Sequence, residues 1–408
     1  MHPGSNPAHD QSAIGNRQSA IFDSVYDQLF SWCRKHDFAG HDPFDALNSR
    51  LFQATPFNKS RNARLLWTQL VKRAPADVRI LARVPKERNA KAIALFALAQ
   101  LSHHRQLKNR DTESQARGVL AELIEMKLDG FSGAAWGYNF DWQSRKFYSR
   151  RNTPTIVPTA FAARALLEAA QLFGDDQYFS IARSTCRFIL DDLPRAAENQ
   201  NEVCFSYAPE SSTRIYNANL LAAEVLAGVG ARTAEQEFID WAVRAARYVV
   251  NRQQPDGSWT YGEDSSQSWV DNFHTAFILF SLKRIIEACS AGAEFEPALK
   301  RGYEYWREQF FLADGWPKYY HDDPYPADAH AGASAIVTFL ELADLDKNSI
   351  QLADRVARWT IQNLRDKQGF FYYQKRRFYT VKKPYMRWSQ AWMLYALARL
   401  LEMKSKKL

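Results

Sequence analysis

The feature that most constrains this chain is a recurrence. Loop aromatics Phe205, Trp259, Trp316 and Phe371 stand 54, 57 and 55 positions apart. Twelve positions after the first three lie Asn217, Asp271 and Asp328, each at the start of an Ala-rich apolar segment. A period of this length, with two helical segments per unit, marks an array of helix pairs. One segment of each pair is amphipathic: between Ala234 and Arg252, the residues Phe238, Trp241, Ala245 and Tyr248 share a stripe. The other is apolar nearly all round and must be covered on most sides. An open solenoid would leave one side of every such helix in water, whereas a closed ring buries them all.

Six apolar segments begin near Asn89, Pro158, Asn217, Asn272, Asp328 and Trp388. The sequence therefore predicts an all-α fold, an (α/α)6 toroid of six inner and six outer helices with aromatic loops at one rim. No strand-like run competes, although short hairpins fit within the loops. Residues 1–17 are polar, with Gly, Ser, Asn and Pro, and read as a disordered tail. Residues 18–408 read as a single toroid domain.

Hydrophobic residues make up 46% of the chain, ample for such a core, and several of the 12 Trp and 18 Tyr fall in loops. Loop aromatics can plug a core or stack on the flat faces of sugar rings. The net charge of +8 is partly solvated surface charge. It also suits an anionic partner: an acidic glycan, a diphosphate- or lipid-linked substrate, or a membrane surface. Nothing resembles a nucleic-acid-binding motif. Cys33, Cys186, Cys204 and Cys289 are scattered without a CxxC pair, which argues against a zinc knuckle or a disulfide framework. The N-terminus lacks the apolar core of a signal peptide, and no apolar run reaches the roughly 18 residues of a membrane span. The expected location is the cytoplasm, with thiols reduced.

The segment Gln253-x-x-Asp256-Gly257-Ser258-Trp259 resembles the QW repeat of the squalene–hopene cyclase and prenyltransferase families, which are helical toroids. Asp314-Gly315-Trp316 is a degenerate copy, and the stretch from Asp366 to Phe370 a weaker one. In those families the repeat is scaffold, so the resemblance implies fold rather than chemistry. The chain lacks the Asp-x-Asp-Asp and Asp-Asp-x-x-Asp signatures of terpenoid enzymes, the Asp-x-Cys zinc pair of protein prenyltransferases and the Cys-His pair of lanthionine cyclases. Over its whole length it is similar to bacterial proteins of exopolysaccharide biosynthesis. These share Gly40-His41-Asp42-Pro43-Phe44-Asp45, the helix start Asn89-Ala90-Lys91 and the aromatic loops. That resemblance implies a setting, polysaccharide assembly within a biosynthetic complex or beside a membrane, but no particular reaction.

In a helical ring the inner-helix N-termini and the loops before them open on one end of the cavity, where a ligand would bind. Their free N–H groups favour anionic groups. Position alone nominates Asp141, Asp271, His274, Asp328 and His330 for catalysis. It nominates Asp42, Asp45, Lys91, Trp136, Trp142, Tyr207, Asn217, Asn219, Trp269, Asn272, Arg387 and Gln390 for substrate binding. Capping alone would also account for Asn217, Asn272 and Asp328. Two chemistries fit. A hydrolase or transferase would set two carboxylates from Asp141, Asp271 and Asp328 across a glycosidic bond. A lyase or epimerase would use a His or Tyr base beside a uronate carboxylate, with Asn219, Lys91 or Arg387 to quiet the charge. No metal or cofactor is implied. A non-catalytic glycan- or protein-binding toroid and a terpenoid cyclase or prenyltransferase-like enzyme are the competing readings.

Overall fold

The computed structural model describes residues 7–406 except 75 and 144–147, with side chains from Ala20 onward. Fourteen α-helices follow one another among these residues. They are α1 (Pro7–Lys35), α2 (Arg50–Gln53), α3 (Arg61–Arg73), α4 (Ala90–Leu107), α5 (Arg110–Glu125), α6 (Ile156–Phe173) and α7 (Asp176–Arg187). Then come α8 (Tyr216–Thr233), α9 (Gln236–Val250), α10 (Asn272–Cys289), α11 (Gly292–Gln309), α12 (Ala329–Glu341), α13 (Ser349–Leu364) and α14 (Trp392–Ser405). The first helix is longer than its apolar spacing predicts: its backbone is helical from Pro7, and the expected tail lies outside the described residues only over 1–6.

Helices α4, α6, α8, α10, α12 and α14 contact one another in that order, and α14 returns to α4. This closes the inner ring, and the (α/α)6 toroid is the fold. Ala-rich faces let the six helices approach closely, and nearly every inner residue of α4 from Ala90 to Ser102 is buried. Helix α6 is long and apolar enough to cross a membrane, yet it is an inner helix with 72% of its apolar window buried. Helices α5, α7, α9, α11 and α13 cover the ring, each packed on the inner helix before it, and α1 covers α14. Inner helices exit through a left-handed residue (Lys108, Gly174, Ala234 and Ser290 after α4, α6, α8 and α10), which turns the chain back toward the outer layer.

The QW-like stretch ties neighbouring outer helices together. Gln253 Nε2 donates to Gly257 O and to Ala298 O on α11, and Trp259 Nε1 donates to Val249 O on α9. Gly257 has φ +93 and abuts Arg301 O, so a side chain there would be both strained and obstructed. The weaker copies repeat the device: Gly315 meets Arg355 on α13 at φ +92, and Gly369 meets Gln28 on α1 at φ +98. The last contact identifies α1 as the sixth outer helix and closes the outer layer between the chain's two ends.

One end of the inner ring is filled by charge. Arg164 forms a fork with Glu224 at 2.7 and 2.5 Å, and Arg284 reaches Glu341 at 2.8 Å and Glu224 at 3.4 Å. Arg399 reaches Glu341 at 3.1 Å, and Arg105 lies 3.0 Å from both Glu168 and Glu402. Every inner helix contributes to this network.

Candidate active site

The other end, where the inner helices begin, is open. A cavity of about 580 Å³ lies there, walled by Trp142, Tyr261, Trp269, Phe273, Tyr319, Tyr320 and Trp388. Its deep end, about 90 Å³, is lined by Lys91, Tyr138, Tyr207, His330 and Arg387 together with aromatic rings of the same wall. Tyr261 and Trp269 stack at 4.6 Å, presenting flat apolar surface beside His274.

Helix α10 starts by capping: Asp271 Oδ1 accepts from His274 N at 3.0 Å. The cap leaves the second oxygen for chemistry. Asp271 Oδ2 takes His274 Nδ1 at 2.6 Å and Trp269 Nε1 at 2.9 Å. The carboxylate is fully buried while His274 is 20% exposed and lines the cavity. A carboxylate that accepts from Nδ1–H fixes the tautomer and leaves the lone pair on Nε2, the nitrogen remaining for the cavity.

At the floor, His330 is buried with both ring nitrogens lacking a hydrogen-bond partner. It sits 4.4 Å from the Trp388 ring and 4.5 Å from Phe273. Burial, with Lys91, Arg387 and His274 adding to it, holds its imidazole well below the usual histidine range, so it is neutral. Lys91 Nζ lies over three rings, Phe161, Phe277 and Trp392, at 4.6, 5.0 and 5.4 Å. Burial pushes its ammonium well below the usual lysine range, and Arg387 adds to the push. Arg387 is held in a fork by Asp42 at 2.6 and 2.8 Å. Asp45 in turn takes Arg79 at 2.6 Å, and burial raises its carboxyl to about 6 against the pull of Arg79. The Asp42–Asp45 segment is thus a clamp under the floor, not a ligand contact.

Several nominated residues have other work. Asp328 is fully buried behind the wall, where it accepts from Trp388 Nε1, Gln374 Nε2 and His330 N. It positions Trp388 and His330, and burial lifts its carboxyl to about 6. Asp141 lies outside the cavity lining, with its oxygens taken by Tyr148 Oη and Arg151 N. Trp136 is a buried plug that donates to Leu123 O. Asn219 and Gln390 are struts: each side-chain oxygen accepts from a loop backbone N–H, of Phe205 and Phe371 respectively. Asn272 bonds Lys318 O and Trp306 Nε1. Asn217 does not cap α8, because Ile215 holds that position, and its buried oxygen faces no partner.

None of the nominated site residues lies on α3, the helix that the sequence suggests over 61–73. This helix lies outside the repeat and crosses the mouth, adding Thr68, Gln69, Lys72 and Arg73 to the wall. Its last turn is basic, but nothing in the sequence places that turn at the mouth. Among the described residues no group of His, Cys, Asp and Glu is arranged to hold a metal. Among the described residues no Asp or Glu lines the cavity or its floor.

No protein-family model matches the chain, and no curated protein matches it in sequence. Solved structures do share its fold. Cellobiose 2-epimerase from Bacillus thermoamylovorans superposes with a TM-score of 0.61 at 13% identity, over 80% of this chain and 90% of the other. A family 76 α-mannanase from Bacteroides thetaiotaomicron gives 0.59 at 12% identity, over 77% and 86%. An unsaturated glucuronyl hydrolase specific for heparin gives 0.57 at 14%, over 78% and 87%. At such identities the likeness is one of fold, and chemistry has to be argued from the site.

Proposed function

We propose that this protein is a carbohydrate-active enzyme that removes a proton from a sugar carbon, as an epimerase or a lyase does. The substrate would be a sugar or glycan intermediate of bacterial extracellular polysaccharide assembly, handled in the cytoplasm. The observation that carries this reading is the Asp271–His274 pair, set on a cavity whose lining, among the described residues, offers aromatics and cations but no carboxylate.

A glycosidase of the usual kind needs two carboxylates facing the scissile bond. Here Asp271 is spent on His274, and Asp328 and Asp141 stand behind or outside the wall. A terpenoid enzyme must shelter carbocations, and Lys72, Arg73, Lys91 and Arg387 make this lining unsuited to that. Proton abstraction beside a carbonyl or carboxylate needs what the site has. His274 Nε2 supplies the base, stacked aromatics seat the ring, and Arg387 and Lys91 lie at the floor to stabilise the oxyanion that forms. Neutral His330 lies beside them, its ring nitrogens without a hydrogen-bond partner. Two supports are indirect: the resemblance to exopolysaccharide-biosynthesis proteins, and a fold shared with an epimerase and a glucuronyl hydrolase.

The test is solvent exchange. Neutral and uronate-containing oligosaccharides are incubated with the protein in D2O and the products read by mass spectrometry and absorbance. An epimerase gives a new diastereomer that carries one carbon-bound deuterium per reacting residue, and a lyase loses the carbon-bound proton without replacing it and gives an unsaturated sugar absorbing in the ultraviolet. Hydrolysis without carbon-bound deuterium would overturn the reading.

A further inference from the structure

Beside the mouth a second cavity of about 370 Å³ opens, sharing Gln69, Lys72, Arg73, Tyr319 and Tyr320 with the first. Its far wall is the hairpin Gln374–Lys375 and Thr380–Val381, which brings in Gln374 and Arg376. Three cations thus converge, and among the described residues no carboxylate lines the space. Among the described residues Arg73 forms no ion pair and is exposed. Arg376 has a buried Nε without a hydrogen-bond partner, and only its Nη2 is engaged, at 3.3 Å from Gln374 Oε1. Lys72 meets the Phe44 ring at 4.3 Å. The buried or half-buried Arg79, Arg164, Arg252 and Arg387, by contrast, each meet a carboxylate.

Like charges brought together without counter-charge are held at a cost, and a planar guanidinium with free N–H groups suits an oxyanion. The geometry points to an anion-binding subsite here. It takes a carboxylate or phosphate borne by the unit next to the sugar in the first cavity. The substrate is then at least two units long, bent over the Tyr319–Tyr320 ridge that the cavities share. This rests on reading the first cavity as the sugar site.

Binding rather than turnover tests it, so a failed exchange experiment leaves it standing. Calorimetric titration would use trigalacturonate, UDP-glucose and cellotriose, at low and high salt. At least one anionic probe should bind the protein more tightly than cellotriose does. Arg376→Gln should weaken that probe by roughly 10- to 100-fold and leave cellotriose unchanged, because Arg376 lines only the second cavity. Arg376→Lys should recover only part of the loss. Loss confined to trigalacturonate identifies a carboxylate, and loss confined to UDP-glucose a phosphate. Equal affinity of all three probes, equal weakening of cellotriose by Arg376→Gln, or no binding by any of them would overturn the subsite.

Discussion

At the closed end of the ring, Arg105, Arg164, Arg284 and Arg399 face Glu168, Glu224, Glu341 and Glu402, and the charges answer one another. At the open end, Lys91 and His330 are at least as deeply buried, and among the described residues neither meets a carboxylate: Lys91 lies over aromatic rings, and the ring nitrogens of His330 have no partner. The same inner helices supply both ends, so the difference is not one of fold. Buried charge that is paired holds an architecture together. Buried polar groups left without partners are retained at a cost in stability, and they concentrate where chemistry is done. The largest test of this contrast is His274→Ala. It should lower the deuterium-exchange rate by about 10²- to 10⁴-fold, the usual contribution of a general base. The melting temperature should stay close to that of the parent, because His274 is at the surface of the cavity. A large loss of stability would make the histidine scaffold.

At the closed end the expectation reverses. Glu224→Ala strips Arg164 of its fork and Arg284 of one partner, leaving buried guanidinium charge uncompensated. Breaking such a pair from one side destabilises by about 3–5 kcal/mol. Chemical denaturation should register that loss while the folded fraction keeps its exchange rate. Unchanged stability would mean the network is solvated and does not hold the ring.

The ends should also differ in the sign of their pH dependence. Burial alone would raise Glu341, but Arg284 and Arg399 overcome it and hold the group at about 2. Its contribution is present above its unfolded pKa of about 4.5 and is lost as pH falls toward 2. Asp328 is the opposite case, raised from 3.8 to about 6. Its folded form keeps the proton longer, so stability is lost as pH rises from about 4 to 6, by roughly 3 kcal/mol at most. Denaturation midpoints across pH should therefore flatten in different windows. Glu341→Gln should change the slope below about pH 4.5, and Asp328→Asn the slope between about 4 and 6. Matching profiles for both variants would remove the distinction.

The ring was legible in the sequence because two periods coincide, the helical stripe of the outer segments and the recurring loop aromatics. Of the three residues that capping would account for, only Asp328 caps its helix; α10 is capped by Asp271, one position before Asn272, and the cap of α8 lies two positions before Asn217. There the cap is Ile215, which carries no capping side chain for a pattern to detect. First-turn polar residues split in a way spacing cannot show. His274 and His330 line the cavity, whereas Asn219 and Gln390 turn to loop backbone. The charged network left a trace that went unread: Arg164, Glu224 and Arg284 interrupt otherwise apolar helices. Lys72 and Arg73 were out of reach, since only tertiary packing lays α3 across the mouth.

Replacing Lys91 by Met tests the contrast with the smallest effect and the most informative sign. The methionine fits the aromatic box, keeps the apolar stem and removes an amine that burial disfavours in its charged form. If the open end sacrifices stability for function, Lys91→Met should stabilise the protein by about 0.5–2 kcal/mol, the scale on which relieving functional strain acts, while slowing exchange. The matching change at the closed end, Arg164→Met, should destabilise it, because Glu224 loses its fork. Opposite signs from two cation-to-Met substitutions inside one ring would show that compensation, rather than burial itself, separates the two ends. The same sign from both would mean that Lys91 is as much a part of the scaffold as Arg164.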